Sequence, residues 1–151
     1  ITDFLINNPQ PENPYGCKFS IQYCVAGMLK YGDMGVDRFL PEVIGDAEVR
    51  GVMAKTKVVR DAAIEAVHAA DAAKLASKLI VRCKDGRVLE MQVDFPKGDP
   101  PNPMSWEESA AKFMSLATPV YGEAKAAGLC ALIDKLEAST DFAADLAKCL
   151  A

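Results

Sequence analysis

Few side chains in this sequence have both the chemistry and the placement to act on a ligand. Lys18 and Ser20 stand where the chain enters a helical stretch that runs on to Tyr31. A helix start offers free backbone N–H groups at the positive end of its dipole, which suits an anion. Lys18 adds a cation there, and Ser20 is either a ligand or the cap of the helix. Tyr23 follows on the same helix, on a face shared with Gly27 and Lys30. The single histidine, His68, sits in an unpatterned Ala-rich stretch and reads as a surface residue rather than a general base. The five cysteines (Cys17, Cys24, Cys83, Cys130 and Cys149) are odd in number and scattered, with no C-x-x-C or Cys/His cluster. That spacing argues against a zinc site or a disulfide framework, and for reduced thiols in a cytoplasmic protein.

These side chains are positioned by elements that the pattern of apolar residues outlines. Residues 1–16 read as a loop crowded with Asn, Pro and Gly, with residues 3–6 either a short strand or an arm. Ile21, Val25, Met28 and Leu29 recur at helical spacing and predict the buried stripe of the first helix, leaving the Tyr23 face outside the core. Asp46 caps a second helix over residues 47–55, with Val49, Val52 and Met53 inward. Residues 57–60 read as a strand, and residues 61–76 fit either a helix or a loose loop.

Residues 77–95 predict a hairpin whose register can be argued. A two-residue loop at Asp85-Gly86 would set Val81 opposite Glu90, mixing the faces. A three-residue loop, Lys84-Asp85-Gly86, sets Val81 opposite Leu89 and Leu79 opposite Met91, with Gly86 in the left-handed position. One face is then apolar, and helices are expected to cover it. After a stiff Pro-rich loop at 96–104, Ser105 and Glu108 form a capping box for a helix with Trp106, Ala110, Phe113 and Ala117 inward. Pro119 is expected to start another helix, with Leu129, Ile133 and Leu136 inward, and Asp141 to cap a last one. The fold class is α+β: a two-layer sandwich of an antiparallel sheet with helices on one face, plus C-terminal helices. The domain reading is 1–104 for the α+β part and 105–151 for a helical extension.

With 151 residues, 50% hydrophobic and 25% charged, the chain has an ordinary globular composition. A net charge of −4 argues against a nucleic-acid partner, which needs a basic surface. No apolar run approaches the roughly 20 residues of a membrane span, so no membrane partner is expected. The first residues read as mid-protein sequence, as expected of a piece of a longer protein.

Four blocks resemble one family in order. Lys18-Phe19-Ser20-Ile21-Gln22-Tyr23-Cys24-Val25-Ala26 resembles the K-F-S-(apolar)-x-Y-x-V-A block of the MmgE/PrpD family. Asp46-Ala47-Glu48-Val49-Arg50 with Met53-Ala54 resembles its D-P-E-V-R-x-L-M segment, and Lys84-Asp85-Gly86-Arg87 its hairpin turn. Gly98-Asp99-Pro100-Pro101-Asn102-Pro103-Met104-Ser105-Trp106-Glu107-Glu108 with Lys112-Phe113 resembles its long G-D-P-x-N-P-L-S-W-E-E-x-x-x-K-F segment.

The resemblance implies the lid and C-terminal helices of a two-domain lyase or isomerase. Such enzymes act on small di- or tricarboxylates such as 2-methylcitrate, by acid–base chemistry with no metal or organic cofactor. It further implies a homodimer, and a helical domain of the same protein that supplies most of the acid–base groups. Tyr23 falls on an active-site tyrosine of the cis-aconitate decarboxylase branch, where its hydroxyl can serve a carboxylate or a leaving group. Lys18 and Ser20 then become substrate-binding candidates. Taken alone, the chain is expected to be inactive. The rival reading is a free-standing binding or dimerisation module, with Tyr23 a packing residue.

Overall fold

The computed structural model describes residues 6–150, so all but Ile6 of the expected 3–6 strand or arm lies outside the described residues. Contacts group the chain into two units, one ending at Asp61 and one beginning at Ala62.

The first unit is helical. Asn13 accepts the Gly16 N–H at 2.8 Å and Pro14 occupies the first turn, so a short helix, α1 (Pro14–Lys18), forms where the sequence read mostly as loop. Ser20 caps α2 (Ile21–Tyr31) as expected, its oxygen accepting the Tyr23 N–H at 3.1 Å. Gly32 ends α2 at φ 77°, a conformation that favours glycine. A 3-10 turn follows at Val36–Phe39, and then α3 (Ala47–Met53), whose cap Asp46 accepts the N–H groups of Glu48 and Val49. Residues 57–60 form no strand, contrary to the sequence reading.

The buried face of α2 also differs from expectation. It carries Gln22, Tyr23, Ala26 and Gly27, whereas Met28 and Leu29 are each 52% exposed. The core packs Tyr23 and Ala26 with Cys17, Ile44, Val49 and Met53, flanked by Phe39 and Met34. Small residues suit this face: Ala26 is fully buried, and a side chain at Gly27 would collide with the Met34 sulfur. Tyrosine carries one polar atom on a large apolar ring, so counting it as polar misplaced the face.

Lys30 donates to Asp46 and also pairs with Glu48, tying α2 to the start of α3. That bond from Lys30, helped by the Val49 N–H, lowers the Asp46 carboxyl from its usual 3.8 to about 2. A carboxyl depressed by folding stabilises the fold above its unfolded pKa, and loses that effect as pH falls through the folded value. The first unit should therefore melt at progressively lower temperature from about pH 4 down to pH 2. Asp46→Asn, which can still cap, should flatten that part of the profile. Thermal melts followed by circular dichroism check it.

In the second unit, the open Ala-rich stretch divides: residues 62–70 form α4 (Ala62–Ala70), and residues 71–76 are turn and loop. The hairpin β1 (Ser77–Arg82) and β2 (Val88–Val93) pairs Leu79 with Met91 and Val81 with Leu89, the register argued from the sequence. The Cys83 N–H donates to the Arg87 carbonyl at 2.8 Å, closing the three-residue loop with Gly86 at φ 88°. Gly86→Ala should weaken the hairpin by about 1–2 kcal/mol, because a Cβ is crowded at that φ. Faster amide exchange across β1 and β2 is the readout, and unchanged exchange would refute it.

The α+β class stands, but among the described residues no helix covers the apolar face of the hairpin as expected. Leu79, Leu89 and Met91 lie exposed, Met91 at 69%. The 96–104 loop is held by its own backbone and by Asn102, whose side chain donates to the Phe95 carbonyl at 2.9 Å. The Ser105–Glu108 capping box opens α5 (Trp106–Tyr121). Pro119 lies inside α5 rather than starting a helix, and the break comes at Gly122, φ 79°. Only glycine readily takes that φ, so the glycine rather than the proline sets the boundary.

Helix α6 (Glu123–Asp134), a 3-10 turn at Leu136–Ala138 and α7 (Phe142–Leu150) complete the chain. Asp141 accepts the Ala144 N–H at 3.0 Å, the expected cap of α7. Ala117, Ala126 and Leu129 are the buried residues of α5 and α6. Trp106, Ile133 and Leu136, expected inward, are 39–49% exposed, since no element of this unit covers them among the described residues.

Candidate functional site

The start of α2 is where the sequence placed its candidate site, and the loop ahead of it takes up much of the hydrogen-bonding capacity there. Ile21 N–H donates to the Ile6 carbonyl at 2.9 Å. The Ser20 hydroxyl donates to the Asn8 carbonyl at 2.6 Å while accepting the Tyr23 N–H. Ser20 is thus buried and engaged twice as a cap. Gln22 donates from Nε2 to Asn7 Oδ1 at 2.6 Å, and its Oε1 is buried without a partner among the described residues.

Tyr23 is fully buried. Its ring tilts 45° against that of Phe39, with centroids 5.7 Å apart, and its hydroxyl donates to the Arg38 carbonyl. Burial, with lesser contributions from Cys17 and Tyr31, pushes the phenol up to about 12. At neutral pH it is therefore a proton-bearing group, suited to donate a hydrogen bond or a proton rather than to act as a base. Lys18 is exposed and holds its Nζ 5.9 Å from the Phe39 ring centroid. Phe39 thus touches two of the three predicted site residues, Tyr23 through its ring and Lys18 through its charge.

The sequence reading gave two arginines no role. Arg38 lies in the 3-10 turn and meets Asp33 through Nε and Nη2, at 3.1 and 2.9 Å, and Asp37 through Nη1 at 2.8 Å. Its guanidinium also lies 4.8 Å from the Tyr31 ring centroid. The flanking acids Asp33 and Asp37 were the available signal. Arg50, on α3, donates to the Ile44 and Pro11 carbonyls, each at 2.9 Å. It lines a cavity of about 410 Å³ with Pro9, Gln10, Met53, Ala54 and Thr56.

The histidine and the cysteines were also weighed in the sequence. His68 is exposed, with Nδ1 2.9 Å from the Lys74 carbonyl. Cys17 and Cys24 are thiols that burial pushes further from ionisation. Among the described residues no group of three or more His, Cys, Asp or Glu could hold a metal ion, and no helix is long and apolar enough to cross a membrane.

No curated protein matches the chain. A family model does: that of the MmgE/PrpD C-terminal domain, over residues 2–138.

Proposed function

This chain belongs to the MmgE/PrpD family, and we propose that it is the C-terminal lid part of a cofactor-free lyase or isomerase acting on a small di- or tricarboxylate such as 2-methylcitrate. In this reading residues 1–104 form the lid and 105–151 the helical extension, and a helical domain of the same protein supplies the base. The protein works as a cytoplasmic homodimer.

The observation that carries the site is Tyr23, a phenol with its pKa pushed up to about 12. Removing a proton beside a carboxylate builds negative charge on that carboxylate, and dehydration also needs a proton for the departing hydroxyl. A neutral phenol can serve either need, since it donates without first having to be protonated. Its hydroxyl now donates to the Arg38 carbonyl, so the 3-10 turn must yield before substrate receives that hydrogen bond. Lys18 attracts the anion, and Ser20 acts through the helix cap that holds Tyr23. The exposed apolar residues of the hairpin and of α5 favour a lid that meets another domain over a free-standing module.

The test is turnover of 2-methylcitrate, citrate and cis-aconitate, first by this chain alone and then by the chain joined to its helical domain. The chain alone should be inactive and the joined protein active. Turnover by the isolated chain overturns the lid reading.

A further inference from the structure

Several groups near Tyr23 remain unused by that reading, and they converge on the 3-10 turn. Arg38 presents a two-point fork, Nε and Nη2, to both oxygens of Asp33. Its Nη1 meets a second carboxylate, Asp37. Its backbone carbonyl accepts the Tyr23 hydroxyl, and the next residue, Phe39, carries Lys18 Nζ over its ring. Two cations and a phenol therefore gather on consecutive residues.

We propose that Arg38 is the residue that receives a carboxylate of the substrate, with Asp33 filling the fork until the substrate displaces it. This rests on the polycarboxylate reading above. A planar guanidinium engaging both oxygens of one carboxylate is the general geometry of carboxylate recognition. What fills the fork here is open to exchange with a ligand from water: the Asp33 and Asp37 side chains are 52% and 56% exposed. Arg38 does not depend on them for its orientation, because its guanidinium also packs on the Tyr31 ring. A di- or tricarboxylate can outcompete Asp33 where a simple anion cannot, since its second carboxylate is drawn to Lys18. Moving Arg38 onto the ligand also loosens the turn whose carbonyl holds the Tyr23 hydroxyl. Binding and release of the Tyr23 hydroxyl are thereby coupled through one residue.

The experiment is a titration of the 151-residue chain with tricarballylate, an unreactive tricarboxylate, followed by amide and arginine Nε–H NMR signals. Asp33→Asn should tighten binding by about threefold at low salt, because an internal competitor is gone. Adding Arg38→Gln to that variant should weaken binding by about tenfold or more, with Arg38→Lys falling between because it keeps the charge and loses the fork. Amide dispersion reports that each variant is folded, and the graded lysine variant separates loss of recognition from loss of structure. Equal affinity with and without Arg38, or no shifts at residues 33–40 in any variant, overturns the proposal. Full turnover by Tyr23→Phe in the joined protein would sink the Tyr23 reading and leave the Arg38 result standing.

Discussion

Tyr23→Ala should unfold the first unit under conditions in which Tyr23→Phe leaves it folded. The ring is the largest fully buried side chain described, and it packs with Val49, Met53 and Phe39. Truncating a buried aromatic costs about 3–5 kcal/mol, through lost burial and the cavity left behind. A unit with so small a core has little more than that in reserve. Tyr23→Phe keeps the ring and strands only the Arg38 carbonyl, which costs about 1–3 kcal/mol. Urea unfolding should be followed by amide NMR signals of α2 and α3, which belong to this unit. If the phenylalanine variant is as unstable as the alanine one, the hydroxyl bond rather than the ring holds the unit. The same pair bears on function. In the joined protein, Tyr23→Phe should lower kcat by about a hundredfold or more if the phenol donates to substrate or leaving group. A purely structural tyrosine should lower the melting temperature and leave kcat of the folded fraction alone.

What the sequence made legible was local. The hairpin register followed from alternation, which only the three-residue loop satisfies, with Gly86 then in the left-handed position. Ser20, Asp46, Ser105 and Asp141 cap the helices assigned to them, since a cap is a contract between residues two or three apart. What failed depended on partners far along the chain. The α2 stripe of Ile21, Val25, Met28 and Leu29 is a sound amphipathic pattern, yet Val49 and Phe39 come to the other side, where they pack with Tyr23 and Ala26. Trp106 and the apolar hairpin face were read as core because apolar residues at regular spacing imply a cover, and spacing cannot say on which chain segment that cover lies. Within the candidate site, Lys18, Ser20 and Tyr23 were visible through the resembling block. Arg38 was not, and Arg50 stood in the second resembling block without a role, because their meaning lies in the backbone carbonyls and the carboxylates that they reach.

Arg50→Ala should destabilise the first unit by about 2–4 kcal/mol, the largest effect expected for a side chain outside its apolar core. One guanidinium spans the Ile44 carbonyl, just ahead of α3, and the Pro11 carbonyl, 39 residues back in the chain. Bonds from a charged donor contribute about 1.5–3 kcal/mol each, and removing Arg50 leaves both part-buried carbonyls to find other donors. Arg50→Lys should recover less than half of the loss, because an ammonium on a flexible stem cannot hold the two directions of the planar fork together. The effect should not stop at α3. The loop that Arg50 holds at Pro11 carries Asn8, whose carbonyl takes the Ser20 hydroxyl, and Asn7, which takes the Gln22 amide. Loosening that loop frees the cap of α2, so amide exchange at Tyr23 should rise in Arg50→Ala beyond the increase seen at Met53. Exchange that rises uniformly through the unit would mean that Arg50 contributes only global stability. A rise concentrated at the start of α2 would make this arginine the link by which α3 holds the candidate tyrosine in place.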